Sequence, residues 1–165
     1  MSTPHRPEPD GSESQRTEPQ RSEPQKAAPQ KAAPPSPAHR ELLDAAEAVA
    51  RRFARADNHT VAAAARNADG RIVTALNAYH FTGGPCAELV VLGAAAGQGA
   101  YDLTAIVAVA DRGRGVIPPC GRCRQVLLDY FPEIEVLVGR GPQLRAVPVR
   151  ELLPEAYVWA GHQDG

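Results

Sequence analysis

Between Arg40 and Arg55, the apolar residues Leu42, Leu43, Ala46, Val49, Ala50 and Phe53 recur at helical spacing among charged positions. This predicts an amphipathic helix with one face on a core. Two strand-like runs follow, Thr60 to Arg66 and Arg71 to Tyr79. The tetrad between them, Asn67-Ala68-Asp69-Gly70, carries turn chemistry and predicts a hairpin. Gly83-Gly84-Pro85 breaks the chain, after which Cys86 to Ala96 reads as a buried helix and Thr104 to Ala110 (TAIVAVA) as a buried strand. A loop from Asp111 to Pro119 leads to a helix over Cys120 to Phe131, a strand over Ile134 to Val138, a short strand near Ala146 to Val149 and a last helical turn over Arg150 to Leu153. The order α, β, β, α, β, α, β predicts an α/β fold, a mixed β-sheet packed with helices.

The periodic pattern begins only near His39. Met1 to Ala38 is rich in proline, glutamine, glutamate and alanine and holds none of the aromatic residues. Such a stretch cannot bury enough apolar surface to offset the entropy of ordering, and it reads as a disordered tail. Its five-residue repeat, from Arg16-Thr17-Glu18-Pro19-Gln20 to Lys31-Ala32-Ala33-Pro34-Pro35, has the character of a spacer. His39 to Gly165 is then long enough for one domain with one core, with no room for a second.

Charge narrows the function classes. The formal net charge is −1 without a basic block, so no nucleic-acid partner is expected. The longest apolar stretch, Leu89 to Ala96, is interrupted by Gly93 and falls short of the roughly 20 residues a membrane helix needs. No apolar segment of the kind a secretory signal requires lies near Met1, and a cytoplasmic location is the expectation.

The chain has three cysteines, an odd number that suits a metal site or a nucleophile better than a disulfide scaffold. Cys120 and Cys123 share one face of a helical first turn, and Cys86 opens another helix. If the two helix starts meet, three thiolates converge on a tetrahedral ion with its fourth position open, the mark of a catalytic rather than a structural zinc site. Glu88, two residues after Cys86, supplies a proton acceptor beside that position. Three rival readings stand next to this one. Cys120-Gly121-Arg122-Cys123 also matches a thiol redox pair, the zinc could be structural with a further ligand, and Glu88 could be a solvated acid at a helix start.

Cys-x-Glu followed by Pro-Cys-x-x-Cys is the pattern of zinc nucleobase deaminases in their three-cysteine form. The stretches Asn77 to Gly93, Pro119 to Asp129 and Arg150 to Trp159, the last ending in Tyr-Val-Trp, sharpen the likeness. They resemble the blasticidin-S deaminases, a branch of the cytidine deaminase superfamily, from about Thr60 to Gly161 and without the tail. The resemblance implies a cytidine-deaminase-like sheet with the active site at the starts of the Cys86 and Cys120 helices. It implies one Zn²⁺ per subunit held by Cys86, Cys120 and Cys123, and a homotetramer.

The implied reaction is hydrolytic deamination of a cytosine ring in a small nucleoside. Water attacks C4, and Glu88 takes its proton and returns protons to N3 and the departing ammonia. Ordinary cytidine deaminases place a ribose-binding carboxylate in an Asn-x-Glu segment where this chain has Asn77-Ala78-Tyr79, and commonly an arginine where it has Leu89. Both departures favour blasticidin S, and hence antibiotic resistance, over a general cytidine deaminase of pyrimidine salvage. Three thiolates around a divalent ion leave a negative centre, and Arg122, Arg124 and the helix starts are sources of compensating potential.

The likeness also marks Thr60, Arg114, Tyr157 and Trp159 as substrate contacts, and Asn77 is a further candidate, for orienting the base or the loop. Each has a structural reading as well: a strand residue, a loop anchor, a solvated arginine, and two aromatics packed on the core. His80 reads as a hydrogen-bonded structural histidine. Gly83 and Gly84 either break the chain before a helix or allow backbone to approach the base.

Overall fold

The computed structural model describes residues 34–55 and 57–158. Helix α1 (Pro37–Phe53) precedes the hairpin β1 (Val61–Asn67) and β2 (Ile72–Leu76), followed by α2 (Ala87–Ala96) and β3 (Leu103–Ala110). The two-residue β4 (Gly115–Val116), α3 (Gly121–Tyr130), β5 (Glu135–Val138) and β6 (Arg145–Pro148) complete the set. Short 3-10 turns occupy Gly141–Gln143 and Val149–Leu152.

The strands form one mixed sheet in the order β2-β1-β3-β5-β6. β1 is antiparallel to both β2 and β3, with Ala63 opposite Ala75 on one side and Ala108 on the other. β3 and β5 are parallel, joined through α3, and β6 returns antiparallel to β5. It follows that β2, β3 and β5 all run the same way. The helices that leave β2 and β3 must therefore start at the same end of the sheet, which is how residues as far apart as Cys86 and Cys120 come to meet.

Both faces of the sheet are covered, which explains the unbroken apolar run of β3. Ile106 and Ala108 point to the α2 and α3 side, among Ala63, Ala65, Val91, Ala95 and Leu127. Ala105, Val107 and Val109 point to the α1 side, with Leu42, Ala46 and Ala64. Alanine is a weak strand former, yet Ala62 to Ala65 of β1 are fully buried. Burial on two faces decides the matter, and the small side chains let helices approach from both.

Three boundaries differ from the sequence expectation. α1 starts at Pro37 rather than Arg40, because Ser36 caps it. The Ser36 side chain accepts from His39 N–H at 3.2 Å, the Ser36 N–H donates to His39 Nδ1, and Pro37 sits at the first helical position. Ser36, Pro37 and Ala38, assigned by composition to the tail, thus build the helix start. β2 stops at Leu76 instead of reaching Tyr79. The loop predicted over Asp111 to Pro119 contains β4, which pairs with β3 as Val109 opposite Val116.

No helix among the described residues is long and apolar enough to cross a membrane.

Candidate active site

Cys86 and Cys120 are the N-cap residues of α2 and α3, both with extended backbone (φ −63°, ψ 157° and φ −68°, ψ 168°). Cys123 lies one turn into α3 and is fully buried. The Cys86 and Cys120 sulfurs are 3.8 Å apart and the Cys120 and Cys123 sulfurs 3.6 Å. All three lie within 4.8 Å of one another, so they are positioned to bind one metal ion. Three soft donors at two helix starts fit zinc, and His80 is not among them. The His80 ring instead meets the Thr82 hydroxyl and lies 4.5 Å from the exposed Phe81 ring, tilted by 42° to it.

Local backbone chemistry brings Cys86 into place. Gly83 has φ +101°, a left-handed conformation that side chains resist. At Gly84, a Cβ would lie only 1.7 Å from the Ala78 carbonyl oxygen. Gly83 thus serves the turn and Gly84 a close approach between the protein's own segments, and Ala78 N–H donates to Pro85 O at 3.2 Å beside Cys86. Gly84→Ala should lower the melting temperature by several degrees, equivalent to about 1 to 3 kcal/mol, and weaken zinc binding in the same protein. Calorimetry with metal analysis checks both. An unchanged protein would mean that Ala78 yields freely.

The electrostatics of the sulfur cluster are uneven. Burial pushes the Glu88 carboxyl, only 5% exposed, above the usual carboxylate range. Burial and then the Glu88 charge push the Cys123 thiol well up. Burial, together with the Cys120 thiol, also raises Cys86. Burial acts on Cys120 as well, but the backbone amide of Cys123, the two neighbouring thiols and the Arg122 amide outweigh it and bring Cys120 below the ordinary thiol range. Amides at the start of α3 favour that thiolate, as helix N-termini do. A bound divalent cation would draw the other two into the thiolate form.

The two arginines expected to offset the thiolate charge are placed differently, and Leu89 stands apart from both. Leu89 packs against the core on the α2 and α3 side. Arg122 is exposed, whereas Arg124 is half-buried and donates from Nε to Pro119 O, the carbonyl preceding Cys120, at 2.8 Å. Its charge is the one seated behind the metal-ligand turn.

Thr60, Asn77 and Arg114 gather around the start of β1. The Asn77 side-chain oxygen accepts from Val61 N–H at 2.9 Å and its backbone carbonyl meets the His59 ring. Thr60 O accepts from Asp111 N–H at 2.8 Å and from the Arg114 guanidinium at 3.4 Å. Arg114 is also paired with Asp111, whose side chain is only 10% exposed. Asp111 organises this corner, and sequence reasoning passed over it. An acid at the carboxyl end of a buried strand, followed by Arg-Gly-Arg-Gly, was the available signal. Tyr157 has an exposed ring and a backbone carbonyl that accepts from Gln125 on α3 at 3.0 Å. Trp159 lies outside the described residues. Surface grooves beside α1, lined by residues such as Glu47, Ala50, Arg51 and Gly113, contain none of the sulfurs.

The geometry can be set beside known proteins. The chain is 34% identical to a blasticidin-S deaminase of Bacillus cereus over 110 residues, 61% of this chain and 79% of that one. It is 36% identical to a cytidine deaminase of Mycobacterium tuberculosis over 116 residues, 69% of this chain and 84% of that one. The fold matches the crystal structure of cytidine deaminase from Burkholderia pseudomallei with a TM-score of 0.61 and 33% identity, covering 72% of this chain and 98% of that one. The family model of the cytidine and deoxycytidylate deaminase zinc-binding region matches residues 36–137, from the cap of α1 to β5 and through every sulfur of the cluster. With more than half of its length matched, this chain belongs to the zinc-dependent cytidine and deoxycytidylate deaminase family, hydrolases that act on C–N bonds.

Proposed function

We propose that this protein removes the exocyclic amino group of the cytosine ring in blasticidin S, giving the uracil-like product and ammonia, and that this activity confers resistance to the antibiotic. The observation that carries the deaminase chemistry is a buried carboxyl, Glu88, in the first turn of the helix that Cys86 caps, beside the three converging sulfurs. The substrate choice rests on Tyr79, where a ribose-binding carboxylate stands in ordinary cytidine deaminases, and on Leu89 in place of an arginine.

Cys86, Cys120 and Cys123 would hold the zinc, which when bound would supply the Lewis acidity that makes a water nucleophilic near neutral pH. Glu88 accepts the proton of the water that attacks C4 and delivers protons to N3 and to the leaving amine. Burial, which raises its pKa, makes Glu88 a stronger base than an ordinary carboxylate, and once protonated it holds the proton until N3 or the amine takes it. Thr60, Asn77, Arg114, Tyr157 and Trp159 are assigned to the substrate. Arg114, held by Asp111, presents charge to a polar group of the nucleoside, while Tyr157 and Trp159 offer aromatic surface to the ring system. A homotetramer with sites near its interfaces is the expected assembly, and light scattering that finds a monomer at working concentration would remove it.

A general cytidine deaminase is the second reading, favoured by relatives of that name at similar identity. Turnover of the zinc-loaded enzyme on each nucleoside separates the two. We expect kcat/KM for blasticidin S to exceed that for cytidine by at least about tenfold, a difference of about 1.4 kcal/mol in transition-state binding. Equal or reversed values would assign the enzyme to pyrimidine salvage.

A further inference from the structure

Arg124, whose charge sits behind the metal-ligand turn, and Gln125, which has no part in the chemistry above, both reach across to the C-terminal segment. Arg124 donates from Nε to Pro119 O at 2.8 Å and from Nη1 to Leu152 O at 2.9 Å. Gln125 donates from Nε2 to Tyr157 O at 3.0 Å and to the Asp129 carboxylate oxygens at 3.0 and 3.1 Å. One turn of α3 therefore carries two sulfurs on one side and, on the other, two anchors for the segment from Leu152 to Tyr157.

That segment has little burial of its own. Val149 is buried and Leu152 packs on the core, but residues 153–158 form neither helix nor strand, and Tyr157 and Val158 are 59% and 71% exposed. Glu155 takes φ +54°, a left-handed conformation that costs a non-glycine residue and needs support from its surroundings. The supporting bonds start from a turn that is itself a helix end, where backbone amides lack helical partners and fraying is easiest. Holding Cys120 and Cys123 together with Cys86 fixes that turn from outside. Arg124 sits at the junction, because the carbonyl it binds on one side belongs to the residue before Cys120 and the one on the other side to the C-terminal segment.

We propose that Arg124 and Gln125 are positioning residues that latch the C-terminal segment to the metal-bearing turn, so that zinc binding orders the segment as one wall of the substrate site. The wall role rests on the deaminase reading; the coupling between metal and segment does not. The chain's single tryptophan, Trp159, lies two residues beyond Tyr157 and reports on the segment by its emission.

The test titrates Zn²⁺ into metal-stripped full-length protein and follows Trp159 emission together with bound zinc. In the wild type, emission should shift in step with zinc occupancy. In Gln125→Ala, zinc should bind with the same stoichiometry while the emission shift falls to under about a third. KM for the substrate should rise about tenfold with kcat within about threefold, the pattern of lost binding rather than lost chemistry. Arg124→Lys, which keeps the charge but replaces the separate Nε and Nη1 donors of the planar fork with one ammonium, should show the same uncoupling, and it guards against a folding defect in any one variant. A wild-type emission that ignores zinc, or full shifts in both variants, would overturn the latch. Loss of zinc from Gln125→Ala would overturn it too, since Gln125 would then hold the metal turn itself. The emission arm needs no substrate, so it stands or falls separately from the choice of nucleoside.

Discussion

Glu88→Gln is expected to keep the fold and about one zinc per chain while losing at least about 10³ to 10⁴ in kcat, the upper range for a general acid-base group that handles several transfers. Glutamine keeps the length and hydrogen-bonding reach of the side chain but has no basicity. It also removes a buried negative charge beside Cys123, so zinc should be held no less firmly than before. Purified protein with metal analysis and a continuous assay of cytosine-ring absorbance checks both halves. Retention of more than about a tenth of wild-type kcat would show that Glu88 is not the proton carrier. Inactivity accompanied by zinc loss would make Glu88 a ligand and close the position that water requires.

The second large effect concerns the metal ligands, which should separate by burial. Cys120 is exposed and Cys123 is fully buried. Cys120→Ala should therefore reduce zinc to under about 0.1 per chain and abolish turnover, with the variant melting where metal-stripped wild type melts. For wild type held at free zinc about 1,000 times its Kd, the lost stabilisation is about 4 kcal/mol. Cys123→Ala should lose zinc equally and be weaker again in the metal-free state, by about 1 kcal/mol for the packing removed from the core. Calorimetry with and without chelator measures each. A wild-type protein that carried no stoichiometric zinc and cycled Cys120 and Cys123 between thiol and disulfide would instead be a redox protein.

The residues that sequence pattern exposed share a physical trait: their role is written in local spacing. The amphipathic face of α1, the hairpin around Asn67 to Gly70 and the buried run of β3 follow from periods that any neighbouring element would demand. Pro-Cys-x-x-Cys is legible because two donors one helical turn apart can share a tetrahedral ion, and Cys-x-Glu because a water at its open position needs a proton acceptor nearby. The match of residues 36–137 to the family, and the gathering of Cys86, Cys120 and Cys123 within 4.8 Å, follow those motifs.

Other features had no local signature. Ser36 sits in a proline-rich stretch that composition groups with the tail, and only the hydrogen bonds exchanged with His39 mark it as a helix cap. β4 is too short to show a period and exists because β3 parts from β5 and leaves an edge to pair. Gly84 is needed because Ala78 passes against it, a requirement set by the path of the loop rather than by its neighbours in sequence. Asp111, Arg124 and Gln125 act largely on backbone groups tens of residues away, and a carbonyl is the same acceptor whatever side chain it carries. The sequence by itself singled out the three sulfurs and the acid proposed to do the chemistry. The tertiary structure decided how they meet, because parallel β2 and β3 start both helices at one end of the sheet, and which segments are held against them.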